Sequence, residues 1–296
     1  MLSSVRTHRK SRHLLLVLVV QVVALLAVAC GGATGGSVSS SQPPQTRVPS
    51  PSAVPTSATS ASTSAAAVSS GGPSWTYVAF GDSWPYGAHC NGCRPFPALY
   101  GEGLAAATGR HIDFVNRTTN GGTAQGLLAD IKSSKPIRDD LARSDIVMIA
   151  IGGNDYGPAF DAAAAGTCGG ADKLDCFRTV AETLRTSFDG MLSEIEQLRQ
   201  GRPTAIRLIA TSNEFLADPD LIAALGADFG KTSGVAVTKL NREVACEVAA
   251  AHNAKCVDLG LALNGPDLLK PQDVNTQDAM QAVADAIVAS GVDELR

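Results

Sequence analysis

The stretch that decides the fold is residues 76–83, TYVAFGDS. Its first five residues predict a buried strand, and the Gly-Asp-Ser that follows predicts a tight exit from that strand. Apolar runs at 112–115, 145–151, 205–210 and 256–259 predict four more strands. An almost unbroken apolar run such as 145–151 is typical of a strand buried on both faces of a parallel sheet.

Helical patterns lie between these strands. The clearest spans 175–200, where apolar residues recur every three or four positions, and Gly201 and Pro203 end it. Others cover about 235–252 and the segment after Asn275. This alternation predicts a doubly wound three-layer α/β/α sandwich with a five-stranded parallel sheet of the flavodoxin-like type. In such sheets the site lies beyond the carboxyl ends of the strands.

Residues 1–30 are typical of an export signal. Basic residues precede an apolar run over 14–29, which at 16 residues falls short of the about 20 that span a bilayer. The run ends in Ala-Val-Ala before Cys30, which suits either an ordinary signal peptidase or a lipoprotein-type cleavage. Seven cysteines are an odd number, and Cys30 is the one left over when the other six pair, which favours a lipid anchor there. We therefore expect membrane contact through a lipid anchor alone.

Residues 31–73 predict a disordered linker. Of these 43 residues, 36 are Ser, Thr, Pro, Ala or Gly, and none is acidic. Such a composition buries too little apolar surface to offset the entropy lost on ordering. The segment is interpreted as a membrane tether or, alternatively, as a glycosylated stalk, and residues 74–296 as one domain.

The charge balance of the domain excludes one class of partner. From Asp82 onwards the chain has 19 basic and 28 acidic residues, a net charge of −9. It therefore offers no basic surface that would neutralise nucleic-acid phosphates. We expect a monomer that needs no cofactor and no metal.

The six domain cysteines predict three local disulfides. Near neighbours pair most economically in an oxidising compartment, which gives Cys90–Cys93, Cys168–Cys176 and Cys246–Cys256. Zinc binding and redox chemistry remain alternatives for Cys90-x-x-Cys93, although a second such pair and a thioredoxin-like context are both missing.

Three polar motifs follow the first three strands. They are Gly-Asp-Ser at 81–83, Asn-Gly-Gly-Thr at 120–123 and Gly-Gly-Asn-Asp at 152–155. Each motif taken alone is better explained as a turn or a helix cap than as part of a functional site. Because all three occur in order, each ending a successive strand, they predict a shared site at one sheet edge.

At these motifs the chain resembles the SGNH, or GDSL-type, hydrolases. The resemblance implies that Ser83 is the nucleophile and that its N–H, the Gly121 N–H and the Asn154 side chain form an oxyanion hole. Such donors stabilise the charge that develops on a carbonyl oxygen during acyl transfer. The implied activity is hydrolysis of acyl or acetyl esters in lipids or acylated glycans.

The resemblance fails at the family's fourth motif, Asp-x-x-His, which supplies the general base. Here Gln272 stands in place of the Asp and Asn275 in place of the His. We interpret Asn275 as the N-cap of the last helix, and His89 and Asp273 remain as candidate bases. The alternative function is a catalytically impaired pseudo-hydrolase that binds a ligand or a partner protein.

Overall fold

The sheet consists of five strands, each followed by helical structure. A computed structural model describes residues 73–88 and 90–296. The strands are β1 (Ser74–Gly81), β2 (His111–Thr118), β3 (Ile146–Ala150), β4 (Ala205–Ala210) and β5 (Lys255–Asp258). The helices are α1 (Ser83–Tyr86), α2 (Phe96–Thr108), α3 (Ala124–Ser133), α4 (Lys135–Arg143), α5 (Gly157–Ala164), α6 (Asp175–Arg199), α7 (Pro219–Leu225), α8 (Ser233–Ala251), α9 (Leu259–Asn264) and α10 (Gln277–Ala289). Short 3₁₀ turns cover Asn154–Tyr156, Glu214–Leu216 and Asp293–Leu295.

The strand order is β2-β1-β3-β4-β5, and all neighbours run parallel. Val78 of β1 lies opposite Val115 of β2 on one side and Val147 of β3 on the other. This is the flavodoxin-like order, whose switch point lies between the first and third strands. The predicted fold class is therefore confirmed, and all five strands lie within a few residues of their predicted positions.

Alternate residues of the strands point to opposite faces of the sheet and pack into two separate apolar cores. One face, with Val78, Phe80 and Val147, packs against α3, α6 and α8. The opposite face, with Tyr77, Ala79 and Met148, packs against α2, α9 and α10. Because β3 is fully buried on both faces, its sequence is apolar throughout.

Three disulfides close short loops around this sandwich. Cys90–Cys93 lies between α1 and α2, Cys168–Cys176 joins the loop before α6 to its first turn, and Cys246–Cys256 joins α8 to β5. The predicted pairing is confirmed. The predicted signal, Cys30 and nearly all of the linker lie outside the described residues. Within 73–88 and 90–296, no helix has the length and apolar character needed to span a bilayer.

Candidate functional site

The exit from β1 places Ser83 at the sheet edge. A side chain at Gly81 would put its Cβ 2.5 Å from the Ala150 carbonyl oxygen, so β1 and β3 approach here closely enough to require glycine. Asp82 caps α1 by accepting a hydrogen bond from the Trp84 N–H at 3.3 Å. Ser83 is the half-buried first residue of α1, and its N–H has no intrahelical acceptor.

The exit from β2 is a tight turn over Thr119–Gly122. The Gly122 N–H donates to the Thr119 carbonyl at 3.0 Å, and Gly121 has φ +78° at the third position. That geometry is a type II turn, in which glycine is favoured because φ is positive. Within the described chain the Gly121 N–H makes no hydrogen bond, so it is free to donate to a bound group.

Side chains of the first and third motifs connect the three strand exits. The Gly153 N–H donates to Asp82 Oδ2 at 3.3 Å, which joins the β1 and β3 exits. Asn154 Nδ2 donates to the Gly122 carbonyl oxygen at 2.8 Å, which joins the β3 and β2 exits. The amide of Asn154 has a second hydrogen that this contact leaves available. We call the segments 81–83, 119–124 and 152–155, which these hydrogen bonds join, the cross-linked segments.

Two carboxyl groups of the cross-linked segments have shifted pKa values. Burial raises the pKa of Asp82 to about 6, although its backbone hydrogen bonds act in the opposite direction. Burial also raises the pKa of Asp155. Asp155 accepts a hydrogen bond from the Ala124 N–H, at 3.0 Å to its nearer oxygen, and so connects β3 to the start of α3.

A cavity of about 420 Å³ opens beside Ser83 at the carboxyl edge of the sheet. Ser83 and Asn154 both line it, whereas Gly121 does not. Its size suits a small or short-chain ligand. Most of the remaining lining is apolar or aromatic and includes Trp84, Ile151, Tyr156, Phe160, Ile209, Phe215, Leu221, Val237 and Val274.

The loop before α10 contributes Asn275 to this cavity. Trp84 Nε1 donates to the Val274 carbonyl oxygen at 3.0 Å, which ties the loop to α1 next to Ser83. Asn275 lines the cavity, in the place where the resemblance implies histidine. Our interpretation of Asn275 as the N-cap is wrong: Thr276 caps α10 by accepting from the Ala279 N–H, because the helix begins one residue later than expected.

The other candidates in this region differ in placement. Asp273 is exposed, its Oδ1 accepts a hydrogen bond from the Asn275 N–H at 2.9 Å, and it does not line the cavity. Gln272 is half-buried, and its Nε2 donates to the Asp273 carbonyl oxygen at 3.4 Å. His89 lies outside the described residues.

The sequence analysis did not identify the segment 211–220, which follows β4 and forms the far side of the cavity. We call it the acidic wall, because Glu214, Asp218 and Asp220 all line the cavity. Burial, together with the negative charges of Asp82 and Asp218, raises the pKa of Glu214 to about 7. The sequence feature that could have identified this segment is its position after the fourth strand, because the carboxyl ends of parallel strands lie at one edge of the sheet.

Comparisons with known proteins agree with this geometry. Residues 79–282 match the family model for the GDSL-like lipase/acylhydrolase family. A lipase from a goat rumen metagenome is similar at TM-score 0.59 and 18% identity, over 75% of this chain and 100% of that one. An extracellular lipase from Streptomyces rimosus is also similar, at TM-score 0.51 and 17% identity, over 73% of this chain and 99% of that one. So is phospholipase A1 from Streptomyces albidoflavus NA297, at TM-score 0.51 and 20% identity, over 74% of this chain and 99% of that one. These three likenesses establish the fold. No curated protein matches significantly.

Proposed function

We propose that this chain, which belongs to the GDSL-like lipase/acylhydrolase family of carboxylic ester hydrolases, is an exported serine hydrolase whose nucleophile is Ser83. Its substrates are acyl or acetyl esters of lipids or glycans. The observation that carries the proposal is the set of hydrogen bonds among the cross-linked segments, which holds Asn154 beside Ser83 at one cavity.

The reaction follows from these groups. Ser83 Oγ attacks the ester carbonyl carbon while its proton passes to a general base. The Ser83 N–H, the Gly121 N–H and Asn154 Nδ2 donate to the oxyanion that forms, and the alcohol leaves with the proton from the base. Water then attacks the acyl-serine, the same base accepts its proton, and the base returns that proton to Ser83 Oγ as the bond to the acyl group breaks and the acid is released. Within the described chain the Ser83 and Gly121 N–H groups make no hydrogen bond, and the Asn154 amide keeps a second hydrogen, which supports this assignment.

The test is labelling by a fluorophosphonate probe together with turnover of short activated esters. We expect labelling at Ser83 and modest turnover, with both abolished in Ser83→Ala. Ser133→Ala is the matched control, because Ser133 lies exposed on α3 and its hydroxyl bonds only the Ala129 carbonyl oxygen within the described chain. If the wild-type protein is neither labelled nor active over a day, the hydrolase proposal fails and the pseudo-hydrolase alternative replaces it.

We further propose that the protein is anchored by a lipid on Cys30 at the outer face of the cell membrane. Three disulfides support an oxidising compartment, since such bonds are rare in the cytosol. Replacing Cys30 by Ser should move the protein from the membrane pellet to the soluble fraction. A Cys30→Ser variant that still sediments with membranes would show that the anchor lies elsewhere.

A further inference from the structure

The cavity beside Ser83 carries unbalanced negative charge. Among the described residues, its lining contains four carboxyl groups and no Lys or Arg; the four are Asp82, Glu214, Asp218 and Asp220. None of them forms an ion pair with a basic side chain of the described chain. A cavity lined by one sign of charge concentrates ligands of the opposite sign.

Glu214 and Asp218 are the half-buried carboxyl groups of the acidic wall, and Glu214 has the weaker hydrogen bonding. Asp218 accepts from two backbone N–H groups at the start of α7, whereas Glu214 accepts from Thr211 Oγ1 alone, at 3.4 Å. The negative charges of Asp82, on the β1 exit, and of Asp218, on the same wall, both act on Glu214. A cation entering the cavity would relieve the repulsion among these three groups.

An unpartnered hydroxyl points independently to a ligand at this wall. Ser212 is only 2% exposed and lines the cavity, and its Oγ has no hydrogen-bond partner among the described residues. Buried hydroxyl groups almost always have partners, so an orphaned one beside an open cavity indicates a polar ligand atom.

The cavity suits an organic cation better than a metal ion. Within the described chain, no three His, Cys, Asp or Glu side chains come together closely enough to hold a metal. Trp84, Tyr156, Phe160 and Phe215 all line the cavity, and aromatic faces attract ammonium groups. We propose that the substrate is an ester with an ammonium group a few bonds from the scissile carbonyl, bound at Glu214 among these rings, while Ser212 contacts a polar substrate atom.

This inference rests on the proposed function, since it takes the cavity beside Ser83 as the substrate site. The test compares butyrylcholine with 3,3-dimethylbutyl butyrate, in which carbon replaces the charged nitrogen and the shape is kept. We expect wild-type kcat/KM to favour the cationic ester by about tenfold. Glu214→Gln should bring this ratio close to one, chiefly through a higher KM for butyrylcholine, and Glu214→Asp should retain part of it.

The matched control is Glu243→Gln, which removes the same charge from an exposed position on α8 outside the cavity lining. This variant should keep both the rates and the ratio. A wild-type ratio near or below one overturns the inference, as does an unchanged ratio in Glu214→Gln.

Binding to Ser83→Ala, measured by calorimetry, separates this inference from the proposed function. We expect about tenfold tighter binding of butyrylcholine than of the neutral ester, and loss of that preference in the Ser83→Ala/Glu214→Gln double variant. If neither ester is hydrolysed but the preference is present, the hydrolase proposal fails and the cation site stands. If esters are hydrolysed without any preference in rate or binding, the cation site fails alone.

Discussion

The cross-linked segments and the acidic wall differ in how completely their polar groups are hydrogen-bonded. The cross-linked segments satisfy their carboxyl groups with backbone N–H donors: Asp82 accepts from Trp84 and Gly153, and Asp155 accepts from Ala124. The acidic wall leaves Glu214 with one long contact and Ser212 with none among the described residues. Donors that must stabilise a transition state need a fixed position, which the hydrogen-bonded segments provide. Polar groups without partners on the other side of the cavity remain free to contact a ligand.

This difference separates a part of the site that backbone geometry fixes from a part that side chains of later loops form. The motifs that connect β1, β2 and β3 are intact, and their geometry depends on backbone approaches such as that of Gly81 to Ala150. The segment after β4 contributes Glu214 and the loop between α9 and α10 contributes Asn275, and no histidine among the described residues lines the cavity. Loss of the Ser83 hydroxyl or the Asn154 amide should therefore act on catalysis, and changes on the acidic wall should act on selectivity and pH dependence.

The largest effect beyond loss of Ser83 itself should come from the general base. Of the two candidates, Asp273 is exposed and its Oδ1 already accepts from the Asn275 N–H, so Asp273→Asn should lower kcat less than tenfold. His89→Ala should lower kcat about 10³-fold or more, since a serine hydroxyl needs a proton acceptor. Steady-state kinetics on a short activated ester measures both.

His111→Ala is the control for loss of a histidine, because His111 lies exposed on the edge strand β2 and contacts Asp113. It should leave kcat unchanged. A large loss in Asp273→Asn with a normal His89→Ala would reverse the assignment. If both variants stay active while Ser83 still reacts, water or a backbone carbonyl oxygen assists as the proton acceptor.

The second effect tests the oxyanion donor of the cross-linked segments. Asn154→Ala should lower kcat by about 10²–10³ with little change in KM, since its donor acts mainly on the transition state. Asn120→Ala is the matched control, because Asn120 is exposed in the neighbouring turn. Equal losses in the two variants would mean that the turn, and not the Asn154 amide, limits the rate.

The cross-linked segments were predictable from the sequence, and the acidic wall was not. The first and third motifs follow an apolar run directly and the second follows after four residues, so hydrophobic periodicity and turn residues were enough to place Ser83 and Asn154 at one sheet edge. Glu214 lies four residues beyond β4, and its charge alone is typical of a solvated surface residue. Its significance depends on burial and on the repulsion from Asp82, which is distant in sequence. The N-cap at Thr276 was missed because Asn and Thr both cap helices well.

A smaller effect should follow from breaking the contact between β3 and α3. Asp155→Ala leaves the N–H of the buried Ala124 without an acceptor, which costs about 1–3 kcal/mol. Thermal unfolding should show a Tm lower by roughly 3–10 °C. Asp130→Ala, on the exposed face of α3, should leave Tm within about 1 °C. A normal Tm in Asp155→Ala would mean that water replaces the carboxylate.

The smallest effect concerns the acidic wall and depends on pH. Burial raises the pKa of Glu214 to about 7 in the folded chain, above the value of 4.5 expected when it is unfolded. The folded state therefore favours the protonated form, so the contribution of Glu214 to stability is full below about pH 4.5 and is lost as the pH rises through 7. Glu214→Gln mimics the protonated form permanently. Its Tm should match wild type near pH 4.5 and exceed it by roughly 2–6 °C at pH 8. Glu243→Gln, with its exposed carboxylate, should track wild type at both pH values. A Glu214→Gln difference that does not change with pH would mean that Glu214 is already ionised and solvated in the folded protein, and that the acidic wall behaves as ordinary surface.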